Sequence, residues 1–101
     1  MDIKISSIHF TADRKLTDFI ETKVEKLSQY FDRIVRAEVN LKLENSGQVR
    51  DKIVEIKLKV PQDILIIKES SKTFESAADS AVDNLKRQLK RYKEKMSPRH
   101  S

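Results

Sequence analysis

The chain opens on Ile3-Lys4-Ile5-Ser6-Ser7-Ile8, where apolar and polar side chains alternate and the apolar ones are β-branched. A period of two predicts a first strand there. Asp13 then offers a side-chain oxygen to the free amides of a starting helix. After it, Leu16, Phe19, Ile20, Val24, Leu27 and Phe31 recur at three- and four-residue steps, which predicts one helix of about 17 residues with a single apolar stripe. Alternation returns at residues 37 to 43, with Ala37, Val39, Leu41 and Leu43 on one face and Glu38, Asn40 and Lys42 on the other. Asn45-Ser46-Gly47-Gln48 contains the only glycine and predicts a turn. Val54, Ile56, Leu58 and Val60 against Glu55, Lys57 and Lys59 predict a third strand, closed by Pro61-Gln62-Asp63, and Ile64-Leu65-Ile66-Ile67 a fourth. The last predicted element is a helix with Thr73 as N-cap, running to about Met96, with Ala78, Ala81, Val82, Leu85, Leu89, Tyr92 and Met96 on one face.

The order is β-α-β-β-β-α. A right-handed crossover through the first helix makes strands one and two parallel, and the short later connections make hairpins. Strands with a single apolar face need one cover, so both helices belong on the same side. The predicted fold is an α/β (α+β) two-layer sandwich, a four-stranded mixed sheet with two helices on one face. With 101 residues the chain has apolar surface for one core, which predicts a single domain over residues 1–96. Ser97-Pro98 stops the last helix and leaves 97–101 as a disordered tail.

Composition narrows the chemistry. There are no cysteines, which excludes disulfides, thiolate metal sites and cysteine nucleophiles together. Met1-Asp2-Ile3-Lys4 is not a basic segment before a long apolar run, and no stretch approaches the roughly 20 apolar residues that span a bilayer. The expected location is the cytoplasm.

Charge is unevenly spread. Residues 1–83 carry 14 basic and 15 acidic side chains. Residues 84–101 carry Lys86, Arg87, Lys90, Arg91, Lys93, Lys95 and Arg99 against Glu94 alone, so this segment holds all of the +5 excess. On a helical wheel Lys86, Lys90 and Lys93 form one row beside the apolar stripe, and Arg87, Arg91 and Lys95 form a second row beyond it. Two readings stand side by side. Glu75, Asp79 and Asp83 precede the bases on the same helix, so the charges complement its macrodipole and the face is merely solvated. Alternatively the six cations bind a polyanion, since like charges at four-residue spacing repel and the dipole alone does not call for so many.

A membrane surface is a poor match, because the bulky apolar residues of this helix are claimed by the sheet. Nucleic acid remains. The arrangement is double-stranded-RNA-binding-domain-like, but that class places its lysines at the start of the last helix, and here the start is acidic. Docking along the side and C-terminal half of the helix is implied instead.

Other features read as structural. His9 and His100 lie far apart, and His9 is expected to end the first strand in a polar contact. Asp79 and Asp83 stand one turn apart without a ligand cluster, a glycine-rich loop or a nucleophile, so no enzyme, metal, cofactor or small-molecule substrate is expected. Phe10, Phe19, Phe31 and Phe74 fall at core spacing, so no exposed aromatic platform for stacking bases is expected; Tyr30 and Tyr92 have polar ends that could reach RNA but are expected mainly to pack.

Phe19-Ile20-Glu21-Thr22-Lys23-Val24-Glu25-Lys26-Leu27 and Ala81-Val82-Asp83-Asn84-Leu85-Lys86-Arg87-Gln88-Leu89-Lys90-Arg91-Tyr92-Lys93-Glu94-Lys95, in this order of elements, resemble the short ribosome hibernation promoting factors. These belong with protein Y and the σ-54 modulation proteins. The resemblance covers residues 1–95 and implies a partner, the small ribosomal subunit with its rRNA. The protein would sit in the decoding groove used by tRNA and mRNA, stop initiation in idle cells without catalysis, and be a monomer when free. It implies that Lys86, Arg87, Lys90, Arg91 and Lys93, with Lys95 in the same rows, contact rRNA phosphates. Lys23 and Lys26 match a second basic cluster, each with an acidic neighbour, Glu21 or Glu25, as a competing partner. Phe74-Glu75-Ser76-Ala77 departs from a tyrosine-alanine pair frequent in the family, so Phe74 is assigned no RNA contact. The lack of a long extension after residue 96 points to the short type that promotes pairing of ribosomes. The competing function is a protein-interaction module that sets the basic helix on an acidic partner, such as a transcription-factor modulator.

Overall fold

The computed structural model describes residues 1–46 and 49–96. The elements are β1 (Asp2–Ile8), α1 (Arg14–Glu25) with a 3₁₀ turn (Lys26–Gln29), β2 (Arg36–Ser46), β3 (Val49–Val60), β4 (Asp63–Ser71) and α2 (Phe74–Met96). The sheet runs β1-β2-β3-β4, with β1 and β2 parallel and the other two pairs antiparallel. Its register sets Ile5, Val39, Ile56 and Ile67 in one row and Ile3, Ala37, Leu58 and Leu65 in the next. Both rows face the helices, and one hydrophobic cluster joins them to α1 and α2, the two-layer sandwich expected from the pattern. The tail at 97–101 and the Gly47-Gln48 part of the expected turn lie outside the described residues.

The first helix differs from the expectation in its last third. Asp13 caps it, accepting from the Leu16 amide at 2.8 Å. After Glu25, however, the backbone tightens: Tyr30 N–H reaches the Leu27 carbonyl at 3.0 Å, and Ser28 Oγ donates to the Glu25 carbonyl at 2.7 Å. Phe31 therefore enters the core from beyond the helix, edge-on to Tyr92 with ring centroids 5.3 Å apart.

The strands outrun the alternation that predicted them. β2 and β3 stay paired out to Ser46 and Val49, because a two-stranded ribbon satisfies its own amides and carbonyls whether or not its side chains reach a core. Between β3 and β4, Pro61 and Gln62 form a two-residue turn with Gln62 at φ 69°. Proline followed by a left-handed residue is the type II arrangement, for which glycine is the unstrained choice at the second place.

The single apolar face is interrupted on the outer side of the sheet. Ile53 is buried there between Lys42 and Ser70 in the register, apart from the main cluster, while Ile64 and Ile66 on the edge strand β4 are exposed.

Thr73 caps α2, accepting from the Ser76 amide at 3.0 Å. Phe74, Ala77, Ala78, Ala81, Leu85, Leu89 and Tyr92 make its buried stripe. Three alanines in the first two turns let the helix sit close, and Leu85 and Leu89 fill the space further along. The polar end of buried Tyr92 donates to the Pro61 carbonyl at 2.7 Å. Phe74 stacks on Phe10 at 5.2 Å, tying the segment after β1 to the start of α2. Met96, expected on the stripe, is exposed in the last turn. His9 is exposed directly after β1 with φ 66°.

Candidate nucleic-acid interface

Because the buried stripe fixes the rotation of α2, its basic residues are turned to solvent. Lys86, Arg87, Lys90, Arg91, Lys93 and Lys95 are all exposed. At 1.5 Å per residue the 23-residue helix is a rod of roughly 35 Å, so the cations keep fixed spacing.

The two rows face different surroundings. Lys86, Lys90 and Lys93 look toward the end of the 3₁₀ turn and, with Tyr30 and Glu94, line a cavity of about 550 Å³. Lys86 Nζ lies 5.0 Å from the centroid of the Tyr30 ring, and Lys93 Nζ donates to the Tyr30 carbonyl at 2.7 Å. In the second row, Arg91 and Lys95 line a smaller groove beside β4 with Asp63, Leu65 and Gln88. Arg87 turns back to Asp83, Nη2 to Oδ2, at 2.8 Å.

Lys23 and Lys26 stand across from the first row, on the far wall of a groove of about 260 Å³ that Tyr30 and Lys86 also line. Lys23 pairs with Asp79 of α2 at 2.8 Å, and not with Glu21 or Glu25. Glutamates two residues away point to other sides of the helix, whereas packing of α1 on α2 brings Asp79 within reach. Among the described residues, Lys26, Lys86, Lys90, Arg91, Lys93 and Lys95 belong to no ion pair.

This division weighs the two readings of the charge pattern. Two of the three acids in the first half of α2 are engaged, Asp79 by Lys23 and Asp83 by Arg87, while the second half carries only Glu94 against its cations. The Arg87–Asp83 pair is well exposed at one-turn spacing and contributes about 0.5 kcal/mol or less, so a phosphate can displace the carboxylate. An unscreened row of ammonium and guanidinium groups at helical spacing suits a phosphate backbone, which releases its condensed counterions on contact.

Tyr30, expected mainly to pack, is exposed, and the two cavities that Lys86 lines both touch it. One sign was legible: Leu27 and Phe31 take the stripe positions around it, which leaves Tyr30 off the apolar face. Tyr92 does pack as expected.

Residues 3–97 match the family described as Sigma 54 modulation protein / S30EA ribosomal protein. The chain belongs to that family. It is 30% identical over 95 residues to the ribosome hibernation promoting factor of Pseudomonas putida, covering 94% of this chain and 89% of that one. It is 31% identical over 96 residues to the factor of the same name from Salmonella typhimurium, covering 95% and 97%. Among solved structures, the N-terminal domain of Thermus thermophilus Protein Y superposes with a TM-score of 0.79 at 29% identity, over 91% of this chain and 99% of that domain. The family match spans every element from β1 to α2, so the basic helix lies inside the shared fold. Among the described residues no helix is long and apolar enough to cross a membrane.

Proposed function

We propose that the protein is a ribosome hibernation factor that lays the C-terminal half of α2 on the rRNA of the small ribosomal subunit, in the groove that tRNA and mRNA use, and so blocks translation in idle cells. The outward row of unpaired cations on α2 carries this reading. Lys86, Lys90 and Lys93 supply the central phosphate contacts, Arg91 and Lys95 extend them, and Arg87 joins once a phosphate displaces Asp83. Lys26 and Lys23 hold the opposite bank, with Lys23 the weaker because Asp79 already holds it. Residues 1–96 act as one ribosome-binding unit in the cytoplasm, monomeric until docked. Occlusion needs only tight binding, so no reacting group is required.

The relatives named ribosome hibernation promoting factor support the reading by their similarity along the whole fold. Co-sedimentation with purified small subunits tests it. If about six phosphates are neutralised, affinity falls roughly a thousandfold or more between 50 and 200 mM monovalent salt. Protein that stays at the top of the gradient at low salt, or affinity that ignores salt, would overturn it and leave the reading of a module for an acidic protein partner.

A further inference from the structure

We propose that Tyr30 is a stacking seat for an unpaired RNA base whose flanking phosphates are held by Lys86, Lys90 and Lys93. This rests on the proposed function and adds to it a preference for nucleotides splayed out of a duplex.

The chain has six aromatic side chains, and among the described residues five are buried or half-buried. Phe10 and Phe74 stack on each other, Phe31 and Tyr92 meet edge to face, and Phe19 packs against the core cluster. Tyr30 alone is exposed, at 39%. A lone exposed tyrosine is ordinary; what surrounds this one is not.

The ring stands where two walls of cations meet. It lines the 550 Å³ cavity with Lys86, Lys90 and Lys93, and the 260 Å³ groove with Lys23 and Lys26. The larger cavity falls within the range of about 300–1,000 Å³ usual for small ligands, enough for one nucleotide. Lys86 already lies against the ring as a cation on a π face, and the Lys93 ammonium on the Tyr30 carbonyl ties the residue's backbone to α2. The backbone of Tyr30 is therefore anchored and one face of its ring carries the Lys86 ammonium, so a base stacks on the other face or displaces that ammonium onto its own phosphate. A base that pairs inside a duplex cannot present its face to such a ring, whereas a loop, bulge or flipped nucleotide can. Stacking tolerates any base, because each has a π face.

The test uses the full chain with two substitutions. The protein has no tryptophan, so Tyr30→Trp keeps a large ring and installs a unique fluorophore. It is titrated with a short oligoadenylate and with the abasic phosphodiester of equal length and charge. Tyr30→Leu is measured on the same ligands and on purified small subunits. The expected result is quenching of the indole by oligoadenylate and not by the abasic strand. Tyr30→Leu should lose about tenfold in affinity for oligoadenylate and small subunits, with an unchanged salt slope and thermal midpoint. Equal quenching by both strands, or wild-type affinity in Tyr30→Leu, overturns the stacking seat. If that happens while Lys86→Glu, Lys90→Glu and Lys93→Glu together still abolish subunit binding, the proposed function stands without it. If the wild type ignores small subunits yet Tyr30 is still required for oligoadenylate, the seat survives and the ribosomal reading fails.

Discussion

Among the described residues, the outer face of the sheet and the outer face of α2 carry the same number of cations, yet only one of them is a basic surface. On the sheet, Lys4, Arg36, Lys42, Lys57, Lys59 and Lys68 are interleaved with Asp2, Glu38, Glu44, Asp51 and Glu55. The register places Glu38 between Lys4 and Lys57 and sets Glu55 beside Lys68, while Arg36–Glu38 and Lys42–Glu55 approach to 3.0 and 3.7 Å. Two like pairs also stand opposite each other, Arg36 with Lys59 and Glu44 with Asp51, but five carboxylates against six cations leave little net field, and the opposite charges on neighbouring strands stabilise the sheet. On α2 the pairs 86/90, 87/91 and 91/95 set like charges one turn apart, each pair costing a few tenths of a kcal/mol. The difference lies in arrangement, since cations mixed with carboxylates neutralise one another, and cations stacked on cations leave a field that the fold does not neutralise.

The largest expected effect separates the two faces directly. Changing Lys86, Lys90 and Lys93 together to glutamate should lower affinity for small subunits by about a thousandfold or more, while circular dichroism and the thermal midpoint stay near wild type. Changing Lys4, Lys57 and Lys59 to glutamate alters net charge equally and should cost about tenfold or less, through the long-range field alone. Equal losses in co-sedimentation would mean that net charge, not placement, governs binding.

Next comes a contrast in stability. Leu89→Ala, on the buried side of α2, should cost about 2–5 kcal/mol in denaturant unfolding. Ile66→Ala, exposed on the sheet, should stay within about 0.5 kcal/mol of wild type. A large loss at Ile66 would show that the outer sheet face is covered by something in solution.

Smaller again is Asp79→Asn, which frees Lys23 for an incoming phosphate. Affinity for small subunits should rise about threefold, with a stability loss under about 1 kcal/mol. Unchanged affinity would remove Lys23 from the interface. The smallest effect is Gln62→Gly, which relieves the left-handed backbone between β3 and β4. The relief, less the freedom glycine adds to the unfolded chain, should stabilise by about 0.5 kcal/mol and leave RNA affinity unchanged.

Element types and their order were legible because both periods are clean: two in Ala37 to Leu43 and Val54 to Val60, and three to four from Leu16 to Leu27 and from Ala78 to Tyr92. Strand ends were not, since pairing of β2 with β3 continues on backbone hydrogen bonds after the apolar alternation stops. The run Ile64-Leu65-Ile66-Ile67 reads alike for a strand buried on both faces and for an edge strand with two isoleucines in water. In the site, the direction of the α2 cations followed from the core stripe, so the wheel was enough to turn them outward. The partner of Lys23 depends on how α1 meets α2, and the setting of Tyr30 depends on a 3₁₀ turn that ends the helical period early. The first leaves no mark in local spacing, and for Tyr30 the spacing of Leu27 and Phe31 gives its exposure but not its neighbours.

One helix supplies both seven buried residues and the outward cations. Whatever grips its exterior therefore also clamps its interior against the sheet, so occupancy and resistance to unfolding rise together. At a target concentration one hundred times the dissociation constant the native state gains about 2.7 kcal/mol. A docked molecule should accordingly outlast a free one against proteases, and its lifetime in a cell would follow the supply of idle ribosomes.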